Sequence, residues 1–139
     1  MLKIKAEVLR KRLNKLDEYL AILRGLQKYS FDEFIADPQR YGSVERFLHL
    51  AIEAINDMGN HVVAELDLGE VNWYSDIPAL LARADYIDDS LQEKWIRMIG
   101  FRNTLVHEYI EIDRKIVHDV LRNSLGDLEE LRRTFAQFL

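Results

Sequence analysis

Arg102, Asn103 and His107 form the group of residues in this chain best suited to chemistry. On a helix, Asn103 and His107 lie one turn apart on a common face. Arg102 sits about 100° round the axis, a gap that its long stem can cover. An imidazole gives or takes a proton near neutral pH. A guanidinium grips two phosphate oxygens and neutralises charge that develops in a transition state, and an amide orients either group. Such a trio suits attack on a phosphate or its stabilisation. The same residues also fit a plainer role, as a paired arginine and a satisfied histidine at a helix end or dimer interface.

The surrounding pattern is helical. Leu91, Trp95 and Met98 step by four and three, and the next step lands on Arg102; a parallel stripe through Ile96 and Ile99 lands on Asn103 and Val106. Polar residues thus interrupt a face that should be core. An unpaired buried arginine is too costly to persist, so Arg102 must be paired, sit in a cleft or face another subunit. Upstream, leucines at 9, 13, 16, 20 and 23 predict a helix over residues 2–27, with Arg10, Lys11, Arg12, Lys15, Asp17 and Glu18 on a solvated face. Ser30-Phe31-Asp32-Glu33 resembles a capping box, in a short segment closed by Pro38. A helix capped by Ser43 is expected over residues 43–66 and ended by Leu68-Gly69; Gly59 within it marks a close helix crossing. Ser75-Asp76-Ile77-Pro78 and Asp88-Asp89-Ser90 start two more helices, Asp113 caps one over 114–123, and a last one runs from Gly126-Asp127 to near Phe138. The expected fold is an all-α bundle in one domain spanning residues 1–139.

Composition narrows the function. The 139 residues are 48% hydrophobic and 31% charged, with two prolines and six glycines, which excludes disorder and turn-dense β folds. With no cysteine, neither a disulfide, a thiolate zinc site nor a cysteine nucleophile is possible; this fits a reducing cytoplasm. The start lacks the apolar run of a signal peptide, and no stretch is long enough to cross a membrane. A net charge of −5 makes a poor sliding DNA binder, so any nucleic-acid role needs a local positive site.

The run Gly100-Phe101-Arg102-Asn103-Thr104-Leu105-Val106-His107-Glu108-Tyr109 resembles the signature of HEPN-domain ribonucleases. A tyrosine two residues after the histidine resembles the HepT branch, the toxin half of HepT–MntA toxin–antitoxin pairs. Residues 51–61, Ala-Ile-Glu-Ala-Ile-Asn-Asp-Met-Gly-Asn-His, are similar to the family's second-helix segment. The resemblance implies a homodimer whose signature helices meet near the two-fold axis, so that Arg102, Asn103 and His107 of both copies share one cleft. It implies RNA cleavage without metal or cofactor, by attack of the ribose 2′-hydroxyl on the adjacent phosphorus. His107 would be general base or acid, Arg102 would stabilise the charged phosphorane, and Asn103 would position the attacked group. The absence of Glu-x-x-His pairs of the di-iron bundle type agrees. Tyr109 alone reads as a helix-end aromatic; the resemblance makes it the acceptor of AMP from a MntA-type nucleotidyltransferase antitoxin. A non-catalytic HEPN module that binds a nucleotide or partner is the alternative.

Other residues carry weaker signals. Asp57 and His61 share a face of the family-like segment and could line or brace the cleft. Glu45, His49 and Glu53 could hold a metal but read as surface, and His118 reads as solvated. Trp73, Tyr74 and Trp95 could stack on a base, though core positions are the commoner fate of such aromatics. Arg97 could widen a positive patch.

Overall fold

A computed structural model describes residues 6–107 and 112–139, and the described residues form seven helices and no strand. They are α1 (Ala6–Leu26), α2 (Phe31–Ala36), α3 (Pro38–Glu65), α4 (Asp76–Arg83), α5 (Asp89–His107), α6 (Arg114–Asn123) and α7 (Leu125–Ala136). The leucine stripe of α1 is fully used: Leu9, Leu13, Leu16, Leu20 and Leu23 are buried, and α1 packs chiefly along α3. Helix α3 contacts every other helix and is the axis of the bundle. Its Val44, Leu48, Ala51, Ile55, Met58 and Val62 face a continuous core that includes Trp95 of α5 and Phe135 of α7.

Local chemistry sets the boundaries, and two differ from the sequence expectation. Ser30 does form a reciprocal capping box with Glu33. Helix α3, however, starts at Pro38 and not Ser43. Asp37 ends α2 and caps α3 through the Gln39 amide, while Pro38 takes the first-turn position where its missing N–H costs nothing. The turn after α3 is made by Asp67, not Gly69. Asp67 adopts φ 53°, and the amides of Asp67 and Leu68 bond back to Ala64 and Val63. Asp85, at φ 64°, closes α4 in the same way. Asp113 caps α6 through the Lys115 amide.

Gly59 is where α3 meets α4 and α5. A Cβ there would lie 2.6 Å from Ile77 Cγ2 and 2.8 Å from Trp95 Cη2, so the crossing needs a bare backbone. The Trp95 indole N–H donates to Asn56 Oδ1 at 2.9 Å inside the core, while Asn56 Nδ2 is buried without a hydrogen-bond partner. This contact fixes the register of α5 against α3, and with it the position of every residue toward His107.

Candidate active site

Arg102 is paired, and its partner is Glu53 of α3. Glu53 Oε2 accepts from Arg102 Nη2 at 2.8 Å and from Nε at 3.3 Å. The Arg102 side chain is only 17% exposed, so the ion pair is largely out of bulk water. With its Nε–Nη2 edge occupied, the guanidinium turns its Nη1 end toward Asn103, whose Oδ1 accepts at 3.3 Å. His49 Nε2 approaches the same Glu53 oxygen at 3.4 Å. Burial, and next to it the Arg102 and Arg46 charges, push the His49 imidazole below its ordinary range, against the pull of Glu53.

Asn103 and His107 are exposed on α5. Together with Ile96, Gly100, Trp73 and Tyr74 they line an open groove of about 550 Å³. The structure therefore brings Arg102 to Asn103, and Asn103 to His107, along one helix. No hydrogen bond joins His107 to Arg102 among the described residues. Arrayed this way, the three offer a fixed cation, an amide and a titratable ring to one ligand lying along α5. Tyr109 lies outside the described residues.

The remaining candidates divide. Asp57 faces Arg12 across 3.7 Å; burial pushes its carboxyl up, opposed by Arg12. It is near enough to Arg102 and Glu53 to feel their charges, but neither it nor His61 lines the groove. His61 Nε2 is buried without a hydrogen-bond partner. Glu45, His49 and Glu53 are not plain surface, because α5 and the start of α6 cover their face of α3. Glu45 meets Arg114 at 3.4 Å, with burial raising its pKa, and Glu53 meets Arg102. These carboxylates serve arginines, and no group of three metal-ligating side chains assembles among the described residues. His118 is buried rather than solvated: its Nε2 lies 3.2 Å from the Tyr29 carbonyl and its ring packs on Phe31 and Phe34. Trp95 is core, whereas Trp73 is 75% exposed. Arg97 projects to solvent with Glu93 at 3.7 Å.

Comparison with known proteins decides the family. The family model described as Ribonuclease HepT-like matches residues 11–135. The chain belongs to the HepT-like ribonuclease family. It is 30% identical over 120 residues to a Shewanella oneidensis protein named mRNA nuclease HepT, covering 85% of this chain and 90% of that one. It is 28% identical over 115 residues to a tRNA nuclease HepT of Aphanizomenon flos-aquae, covering 81% and 77%. The solved structure of a tri-AMPylated Shewanella oneidensis HEPN toxin in complex with MNT antitoxin superposes with a TM-score of 0.86 at 25% identity, over 94% of this chain and 97% of that one. Within this HepT-like chain, no described helix is long and apolar enough to cross a membrane.

Glu53 is the member of the site that sequence reading set aside. Its signal was present: it lies in the family-like segment 51–61, and an arginine on the core side of α5 requires an acidic partner.

Proposed function

We propose that this HepT-like chain, as one domain over residues 1–139, is a cytoplasmic endoribonuclease toxin that acts as a homodimer without a metal or cofactor. The observation that carries this reading is the aim of Arg102: Glu53 occupies one edge of the guanidinium, and the other end reaches Asn103, which shares its groove with His107. In the reaction, the ribose 2′-oxygen attacks the adjacent phosphorus. A P–O2′ bond forms, the P–O5′ bond breaks, and the products end in a 2′,3′-cyclic phosphate and a 5′-hydroxyl. His107 takes the 2′-hydroxyl proton or delivers one to the leaving oxygen, and the two copies in a dimer allow one of each. Arg102 neutralises the phosphorane, and Asn103 positions it. Independence from metal is supported by the donor set, since Glu53, Asp57 and Glu45 are already turned toward cations.

The dimer reading draws on Gly100. A glycine inside a helix costs roughly 1 kcal/mol relative to alanine, yet a Cβ at Gly100 would meet nothing within 4 Å in its own chain. Exposed Ile96 lies one turn before it on the same face of α5. A bare, partly apolar helix face fits the close approach of a second α5 and gives the cleft two copies of Arg102, which answers the acidic net charge of −5. Specific DNA recognition is not part of this function.

Regulation by a MntA-like nucleotidyltransferase is supported by the solved structure of the tri-AMPylated Shewanella oneidensis HEPN toxin in complex with MNT antitoxin. In this chain the Tyr109 oxygen would attack the α-phosphorus of ATP and release pyrophosphate. The added phosphates and bulk would repel RNA and compete for Arg102. The test is growth: expression of the wild-type chain should arrest a bacterial host, and His107→Ala should not, while remaining a folded dimer. A harmless wild type made without any nucleotidyltransferase would count against the toxin reading.

A further inference from the structure

We propose that the groove beside Asn103 and His107 is a nucleobase subsite, in which Trp73 stacks on a base of single-stranded RNA next to the cleaved phosphate. This inference rests on the ribonuclease reading and adds a substrate contact to it. Trp73 is 75% exposed, an expensive place for the largest apolar side chain, while the other tryptophan, Trp95, is wholly buried. Its backbone is nonetheless held firmly. Asp76 Oδ2 accepts from the amides of both Asn72 and Trp73 at 3.0 Å, and the Trp73 carbonyl accepts from the Asp76 amide at 2.9 Å. The chain thus fixes this residue in the turn that leads into α4 while leaving its indole outside the core.

The groove is amphipathic along its length. Trp73, Tyr74 and Ile96 form an apolar part, and Asn103 and His107 a polar one. Its volume of about 550 Å³ lies within the range of sites for small organic ligands. A nucleotide has the matching chemistry: a flat base with two π-faces, joined to a phosphate that accepts hydrogen bonds. Stacking on an aromatic tolerates any base and requires it to be unpaired, so single-stranded RNA is the substrate form favoured.

Trp73 fluorescence provides a direct readout, because Trp95 is shielded from solvent. The probe is a short single-stranded oligoribonucleotide made uncleavable by 2′-O-methyl groups, beside the same backbone with abasic residues. The base-bearing probe should quench and the abasic probe should not; Trp73→Ala should abolish the quench. In cleavage assays Trp73→Ala should raise KM about tenfold or more with a smaller change in kcat, and Trp73→Phe should keep most of the affinity. Equal quenching by both probes, or an unchanged KM in Trp73→Ala, would overturn the proposal. A Trp73→Ala variant that fails to dimerise, with no quench in the wild type, would assign the indole to a subunit interface instead. If wild type and His107→Ala behave alike toward cleavable RNA, the ribonuclease reading fails by itself, and the quenching result still decides whether the groove binds bases.

Discussion

Glu53 holds Arg102 through two donors on one carboxylate oxygen, at 2.8 and 3.3 Å, across the α3–α5 contact. The relationship turns a costly buried arginine into an oriented one. Removing the acid leaves the cation without its partner and free to change rotamer. Glu53→Ala should therefore lower kcat roughly 10- to 100-fold, the cost of misplacing a group that must meet the transition state, with KM less affected. Steady-state kinetics on an end-labelled RNA checks this, and an unchanged kcat would mean that Glu53 serves only the fold.

Two glycines should respond oppositely to the same substitution. Gly59→Ala drives a methyl into Ile77 and Trp95, at 2.6 and 2.8 Å, and both belong to the packed core. Overpacking of this kind costs about 1–3 kcal/mol, more than the helix propensity gained, so the melting temperature should fall by several degrees. Calorimetry would show it.

At Gly100, by contrast, a methyl meets nothing in its own chain. Gly100→Ala should preserve or raise the stability of the monomer by up to about 1 kcal/mol and weaken self-association. Sedimentation of wild type and variant over a dilution series separates the two effects. An equally tight dimer would place the subunit contact elsewhere.

The protein should lose stability on mild acidification through His49. Burial holds this imidazole below its ordinary value of 6.5, so the folded state prefers the neutral ring. Its contribution is complete above about 6.5 and is lost as pH falls through the lower folded value, because the unfolded chain takes up the proton first. His49→Gln should flatten the wild-type decline in stability between about pH 7 and 5. Chemical denaturation at stepped pH measures the difference, and parallel curves would contradict it.

Much of this molecule was legible in its residues, for identifiable reasons. The stripes of α1 and α3 could be read because a wholly apolar face at helical spacing has one sensible fate, as Leu9 to Leu23 and Val44 to Val62 show. Asp113 and Ser30 were readable as caps because their partners lie two or three residues away in the chain. The start of α3 was hidden by Pro38, which closes a helix and opens one equally well. Residues whose fate depends on distant partners were harder. Glu53 looked like solvated surface until α5 brought Arg102 against it, and His118 looked solvated until Phe31, Phe34 and the Tyr29 carbonyl enclosed it. In the candidate site, the sequence singled out the arginine, asparagine and histidine and offered Trp73 as a stacking aromatic, but not the carboxylate that aims the first.

The most direct test of the whole account is cleavage of an end-labelled RNA in EDTA by the purified chain, made without a nucleotidyltransferase, beside its His107→Ala variant. The account predicts fragments ending in 2′,3′-cyclic phosphate from the wild type and none from the variant. Cleavage that needs added metal, or that survives loss of the His107 imidazole, would contradict it.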